Sequence, residues 1–171
     1  MCAVSTSRSY HHGDLPAALL AAALDLLEDA ETFSLRAVAR RAGVSPNAPY
    51  RHFEDKEALL AALAADGFDR LADNLEAAAT VVDMAEAYVT FALAHPGLFR
   101  LMYGRSATNA ASTRTAAVLA SRLPARTQQI GAWALVHGLA VLLLDGKLDD
   151  SDPAQLVRTT VAAVLTPAVR A

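Results

Sequence analysis

Residues 34–53, SLRAVARRAGVSPNAPYRHF, leave this chain little freedom in what it can fold into. Leu35, Val38 and Ala39 recur at helical spacing, with Arg36, Arg40 and Arg41 around the rest of the surface. Gly43 follows Ala42, where a left-handed residue ends a helix and turns the chain. Val44 is placed to plug the corner. Ser45 is a good N-cap and Pro46 suits the first position of a second short helix. Helix, sharp turn and second helix make a helix-turn-helix, whose second helix enters the DNA major groove. The competing reading is an ordinary helical hairpin, which has no need of aromatic and basic residues at these spacings.

The AGVS turn, Tyr50 and Phe53 three residues apart in PYRHF, and the following Lys56-Glu57-Ala58-Leu59-Leu60 resemble the TetR family of bacterial one-component regulators, all in one register. The resemblance implies that Ser34, Ser45, Tyr50, His52 and Lys56 contact phosphates and that Arg36 reaches a base or a phosphate, while Arg51 points away from the groove. Phe53 falls on the inward face with Val44. Tyr50 can pack there too, but its hydroxyl suits a phosphate oxygen. Asn47 and Ala48 stand in the first turn, the part that meets base edges: Asn47 could read an adenine, and Ala48 offers at most a methyl contact to thymine. Pro49 departs from the family's more usual aliphatic residue. It lacks the N–H that would bond the Ser45 carbonyl, so this helix can start irregularly. In the polar arm of residues 1–9, Arg8 is the candidate for the minor groove, as such arms do in the family; a solvated tail is the open alternative.

A net charge of -3 argues against a nucleic-acid partner only until its distribution is considered. Between Ser34 and Lys56, five cations (Arg36, Arg40, Arg41, Arg51, Lys56) face two acids, Glu54 and Asp55. A basic end on an acidic chain suits a bifunctional protein. The chain is 54% hydrophobic and 6% aromatic, rich in alanine and leucine, which favours an all-α fold with a substantial core. The single Cys2 excludes a disulfide framework and a multi-cysteine zinc site. His11 and His12 beside Asp14 invite a metal reading, but adjacent residues do not converge on one ion; Asp14 as an N-cap explains the segment better. No metal or cofactor is expected. The N-terminus lacks a signal-peptide core, and the apolar run 132–144 falls short of the roughly 18 residues a membrane span needs, so a cytoplasmic protein is expected.

Further along, Leu15, Ala18, Leu19, Ala22, Leu26 and Leu27 mark a first helix that ends within 28–32, where the chain lacks the family's usual glycine. Ser34 is the expected N-cap of the next. Asp55-Lys56-Glu57 opens a connecting helix apolar nearly all round, a natural transmission element between two units. The division is set near Leu71: residues 10–71 as the DNA-binding head, residues 72–171 as a helical regulatory and dimerisation domain. Helices follow at 83–95, broken by His95-Pro96-Gly97, at 98–103, at 113–123 after a small polar stretch, at 129–145, and after the Asp152-Pro153 start signal. The 129–145 helix is apolar on two faces and must be buried on both. With the last helix, it predicts an isologous four-helix dimer interface. Its Trp-Ala-Leu-Val-His-Gly stretch also resembles the WHG subclass of TetR C-terminal domains.

The expected function is a homodimeric, sequence-specific DNA-binding transcriptional regulator, in the family usually a repressor released from a palindromic operator by a small ligand. Phe91, Met102, Tyr103, Trp133 and His137 are the candidate contacts to such an apolar effector, weighed against a plain core role. The alternative keeps DNA binding but leaves the C-terminal domain purely dimerising. An enzyme fares worst, because no phosphate-cradling loop or converging acid–base pair is present.

Overall fold

The computed structural model describes residues 14–104, 112–149 and 151–165. Among them the chain forms eight α-helices, one short 3-10 turn and no strand. Arg8, His11 and His12 lie outside the described residues.

α1 (Leu15–Glu28) starts where Asp14 Oδ1 accepts the Ala17 N–H at 3.1 Å, and it buries Leu19, Ala22, Ala23 and Leu26. It stops without glycine. The Ala30 N–H bonds the Leu27 carbonyl at 3.3 Å and the Glu31 N–H bonds the Leu26 carbonyl at 3.1 Å, the paired closure of a Schellman turn. That closure forces Ala30 into the left-handed region, at φ 53°. Arg41 straddles the turn, bonding Asp29 at 3.0 Å and Glu31 at 2.6 Å.

α2 (Leu35–Arg41) is capped by Ser34, whose Oγ accepts the Ala37 N–H at 3.1 Å. It closes the same way, with Gly43 at φ 70° and the Val44 N–H on the Ala39 carbonyl at 3.0 Å. α3 (Lys56–Ala77) is capped by Asp55, whose Oδ1 accepts the Ala58 N–H at 2.7 Å. It runs unbroken past Leu71, which is fully buried, so the division expected there falls inside a helix. One hydrophobic cluster runs from Leu19 in α1 to Val161 near the C-terminal end.

α4 (Val81–Ala94) opens on a capping box between Thr80 and Asp83. Pro96 breaks it and becomes the first residue of α5 (Pro96–Met102), and α6 spans Ser112–Arg122. α7 (Arg126–Leu144) starts a turn earlier than the sequence pattern indicates, and α8 (Pro153–Leu165) opens where Asp152 Oδ1 accepts the Gln155 N–H at 3.0 Å. α3 packs on α5 and α6, while α4 lies against α7 and α8. Arg158 of α8 ties to α4 through Asp83, at 3.2 Å, and Glu86. At 19 residues and a mean hydropathy of 1.4, α7 is long and apolar enough to cross a membrane, unlike the shorter run read from the sequence. Its inner side holds Ala132, Val136, Leu139 and Ala140. Ile130, Trp133 and Leu142 of α7, with Val164 of α8, are between 42% and 60% exposed, Trp133 and Leu142 on opposite flanks of α7. The second apolar face is therefore uncovered in the single chain.

Candidate DNA interface and effector cavity

The segment after Gly43 departs from the expected second α-helix. The Ala48 N–H bonds the Ser45 backbone carbonyl at 2.9 Å, and Arg51 and His52 bond Ala48 and Pro49 in turn, so i→i−3 closure dominates until the Phe53 N–H makes one i→i−4 bond to the Pro49 carbonyl at 2.9 Å. The regular part is a single 3-10 turn, Pro49–Arg51, with no side-chain cap. Pro49 supplies the reason: without an N–H it cannot bond Ser45, and the next available donor tightens the chain. Ser45 therefore does not act as the N-cap expected of it. Pro49 is buried beneath the turn and Phe53 is 9% exposed against the core.

This turn puts Tyr50 outward at 52% exposure, with Asn47, Arg51 and His52 also exposed and Ala48 half-buried. Arg36 and Arg40 are exposed on α2, and Ser45 is exposed at the corner. Ser34 is half-buried; its oxygen accepts the helix cap, which leaves its O–H free to donate. The Lys56 ammonium sits 5.6 Å from the centre of the Phe33 ring, held at the start of α3. Arg41 is the cation that does not contribute outward, because Asp29 and Glu31 occupy it. Arg36, Arg40 and Arg51 make no ion pair among the described residues. The exposed surface of the turn and α2 is thus cationic and rich in donors suited to phosphate oxygens.

A cavity of about 330 Å³ lies between α3, α4, α6 and α7. Its walls include Phe68 and Leu75 of α3, Met84 and Tyr88 of α4, Leu119 of α6, and Ile130, Trp133 and Val136 of α7. Tyr103, the residue that closes α5, reaches it as well. Of the residues expected to touch a ligand, Tyr103 and Trp133 line this space. Phe91 and Met102 do not: both are buried in the core, and Met102 packs over Gly67. His137 stands behind the wall, its Nδ1 2.9 Å from the Tyr88 hydroxyl and its ring 4.7 Å from that of Tyr103. Burial pushes the Tyr88 hydroxyl well above the usual tyrosine range, raises that of Tyr103, and holds the His137 imidazole below its ordinary value. A neutral His137 can accept at Nδ1 from Tyr88. Tyr88, Arg126 and Gln129 were not singled out as ligand contacts from the sequence. Helical periodicity marks Tyr88 as inward-facing without saying whether it meets a neighbour or a cavity.

Two structural ties link the cavity to the head. α3 carries Lys56 at one end and Phe68 and Leu75 at the cavity. α5 carries Tyr103 at one end, and at the other its Gly97 and Leu98 N–H groups donate to the Glu28 carboxylate of α1 at 2.9 and 3.0 Å. Gly97 lies so close to α1 that a Cβ there would come within 2.8 Å of the Leu27 carbonyl oxygen.

Residues 19–63 match the model of the bacterial regulatory proteins of the tetR family, and residues 81–164 match the tetracyclin repressor-like C-terminal domain, which includes the Trp133–Gly138 stretch. No curated protein matches the chain. Among solved structures, a protein of unknown function from Rhodococcus sp. RHA1 is 35% identical, with 92% of this chain and 96% of that one covered and a TM-score of 0.72. A TetR-family transcriptional regulator from Streptomyces coelicolor is 21% identical over 88% and 96% of the two chains, with a TM-score of 0.64. The fatty acid degradation regulator FadR from Bacillus halodurans shares the fold at 15% identity, 95% and 99% coverage and a TM-score of 0.72. A basic turn set between α2 and α3, and two family matches that between them span most of the described chain, lead to one conclusion: this is an all-α, DNA-binding transcriptional regulator of the TetR family.

Proposed function

We propose that the chain is a cytoplasmic homodimeric repressor that leaves a palindromic operator when a small apolar ligand fills the cavity between α3, α4, α6 and α7. The observation that carries this reading is the position of the cavity, walled by both elements that reach the head. A ligand acts through its different affinity for the DNA-competent and DNA-incompetent arrangements. Spreading Phe68 or Tyr103 displaces α3 or α5, and α5 grips α1 through Glu28. Two copies paired through the outer face of α7 and α8 present two turns to half-sites one helical repeat apart, ~34–36 Å. Residues 10–71 serve as the head and the remainder as the regulatory and pairing region.

On DNA, Ser34, Ser45, Tyr50, His52 and Lys56 position the head on phosphates, with Arg36 on a base or phosphate and Asn47 and Ala48 toward base edges. Binding to fragments from the protein's own upstream region tests these roles. Lys56→Ala weakens all sequences alike and reduces the salt-dependence slope by about 1, whereas Asn47→Ala alters sequence preference. If Tyr50→Ala and Lys56→Ala both leave binding unchanged, the turn is not the DNA-reading element. A second reading rests on Ile130 and Trp133, which line the cavity yet are 52% and 47% exposed on the pairing face: the C-terminal region only dimerises, and no ligand changes operator affinity. Release of bound DNA by members of a lipophilic compound library distinguishes the two.

A further inference from the structure

The polar groups on the cavity wall differ in whether their bonding capacity is already used. Thr115 Oγ1 donates to the Phe68 carbonyl at 3.3 Å, and Gln129 Nε2 donates to the Leu123 carbonyl at 2.7 Å. The Tyr88 hydroxyl faces His137. Arg126, on the first turn of α7, lines the cavity and makes no hydrogen bond or ion pair among the described residues. Among the described residues no aspartate or glutamate lines this space. The cavity therefore has, among the described residues, a single formal charge, the guanidinium of the exposed Arg126 with its donors unspent, beside a mostly apolar wall.

Resting on the effector reading above, we propose that the cavity selects an amphipathic carboxylic acid, with its carboxylate on Arg126 and its apolar body along α7 toward Trp133. The guanidinium fork matches a carboxylate bidentately, and both bonds are charge-assisted. At 1.5 Å rise per residue, Arg126 and Trp133 stand roughly 10 Å apart along the helix, with Ile130 between them, which leaves room for an extended apolar body rather than a compact acid. A cationic amphiphile meets the same guanidinium with like charge and finds no acid to offset it. A neutral one gains the apolar contacts but leaves Arg126 unpaired.

Trp133 is the only tryptophan in the chain, so tryptophan emission comes from this one position on the wall. The experiment titrates the full-length protein with decanoate, decanol and decylamine, which share one apolar body and differ in head group, and repeats the series with Arg126→Gln and Arg126→Lys. The expected result is a Trp133 response to decanoate at roughly tenfold lower concentration than to decanol, with decylamine weakest. Arg126→Gln brings decanoate to the level of decanol without moving decanol itself, and Arg126→Lys falls between. An unchanged thermal midpoint for both variants shows that the fold is intact. Equal responses to decanoate and decanol, preference for decylamine, or an Arg126→Gln variant that still prefers decanoate overturns the carboxylate assignment while leaving a ligand cavity in place. Silence from all three probes in the unsubstituted protein removes the effector reading along with it.

Discussion

Ala30 and Gly43 close the ends of α1 and α2 with the same pair of backbone bonds, yet only one of them is suited to the conformation. A side chain at φ 53° carries the steric cost of the left-handed region, which glycine escapes. Ala30→Gly is therefore expected to stabilise the protein by about 1 kcal/mol, read as a higher denaturation midpoint at unchanged slope. Gly43→Ala is the converse. A Cβ there meets nothing within 4 Å, so its cost is conformational alone, again about 1 kcal/mol. His137 contributes a pH dependence. Burial lowers its folded pKa below the ordinary 6.5, so as pH falls through that value the unfolded chain takes up the proton first and stability drops. Replacing His137 with phenylalanine should make the acid-side decline shallower between about pH 7 and pH 5, measured as the thermal midpoint against pH.

Among the elements, α5 is short but has a contact of consequence at each end. Its first N–H groups rest on the Glu28 carboxylate and its closing residue, Tyr103, touches the cavity. Glu28→Ala removes both bonds and is expected to cost about 1–3 kcal/mol. Gly97→Ala drives a methyl toward the Leu27 carbonyl oxygen and should cost a similar amount, about 1–3 kcal/mol, by forcing α1 and α5 apart. If α5 couples ligand to head, each variant also weakens the response of operator binding to ligand more than it weakens either binding event alone. This contact was not legible in the sequence, because Glu28 and Gly97 are distant along the chain and neither belongs to a local pattern. Local signals were legible: Asp14, Ser34, Asp55 and Asp152 cap the helices that follow them, since a cap acts within three residues of itself. Ser45 and Pro46 show the limit of such signals. Their start pattern is sound, but Pro49 three residues later removes the donor that an α-helix needs, and a 3-10 turn results. The cavity was legible only in part, because Phe91, Met102 and Tyr103 share one apolar character and differ in whether a neighbouring side chain fills the space beside them.

For the whole molecule, the head is cationic around its turn while α7 and α8 expose apolar residues, so the surfaces proposed for DNA and for pairing are separate. Leu142→Glu combined with Val164→Glu places charge on that face without touching the cavity or the turn. The expected outcome is a folded monomer by sedimentation or sizing, with operator affinity lowered by at least ~100-fold, because one head alone makes too few contacts. A dimer that persists would move the pairing surface elsewhere. The separation of the two surfaces also carries a genetic meaning. In the proposed dimer, a chain whose turn is broken, such as Tyr50→Ala with Lys56→Ala, keeps its pairing face and still captures an intact copy. Each mixed pair then holds one working reader where two are required. Expressed beside the normal gene, such an allele behaves as dominant, and adding Leu142→Glu and Val164→Glu to the same chain makes it recessive.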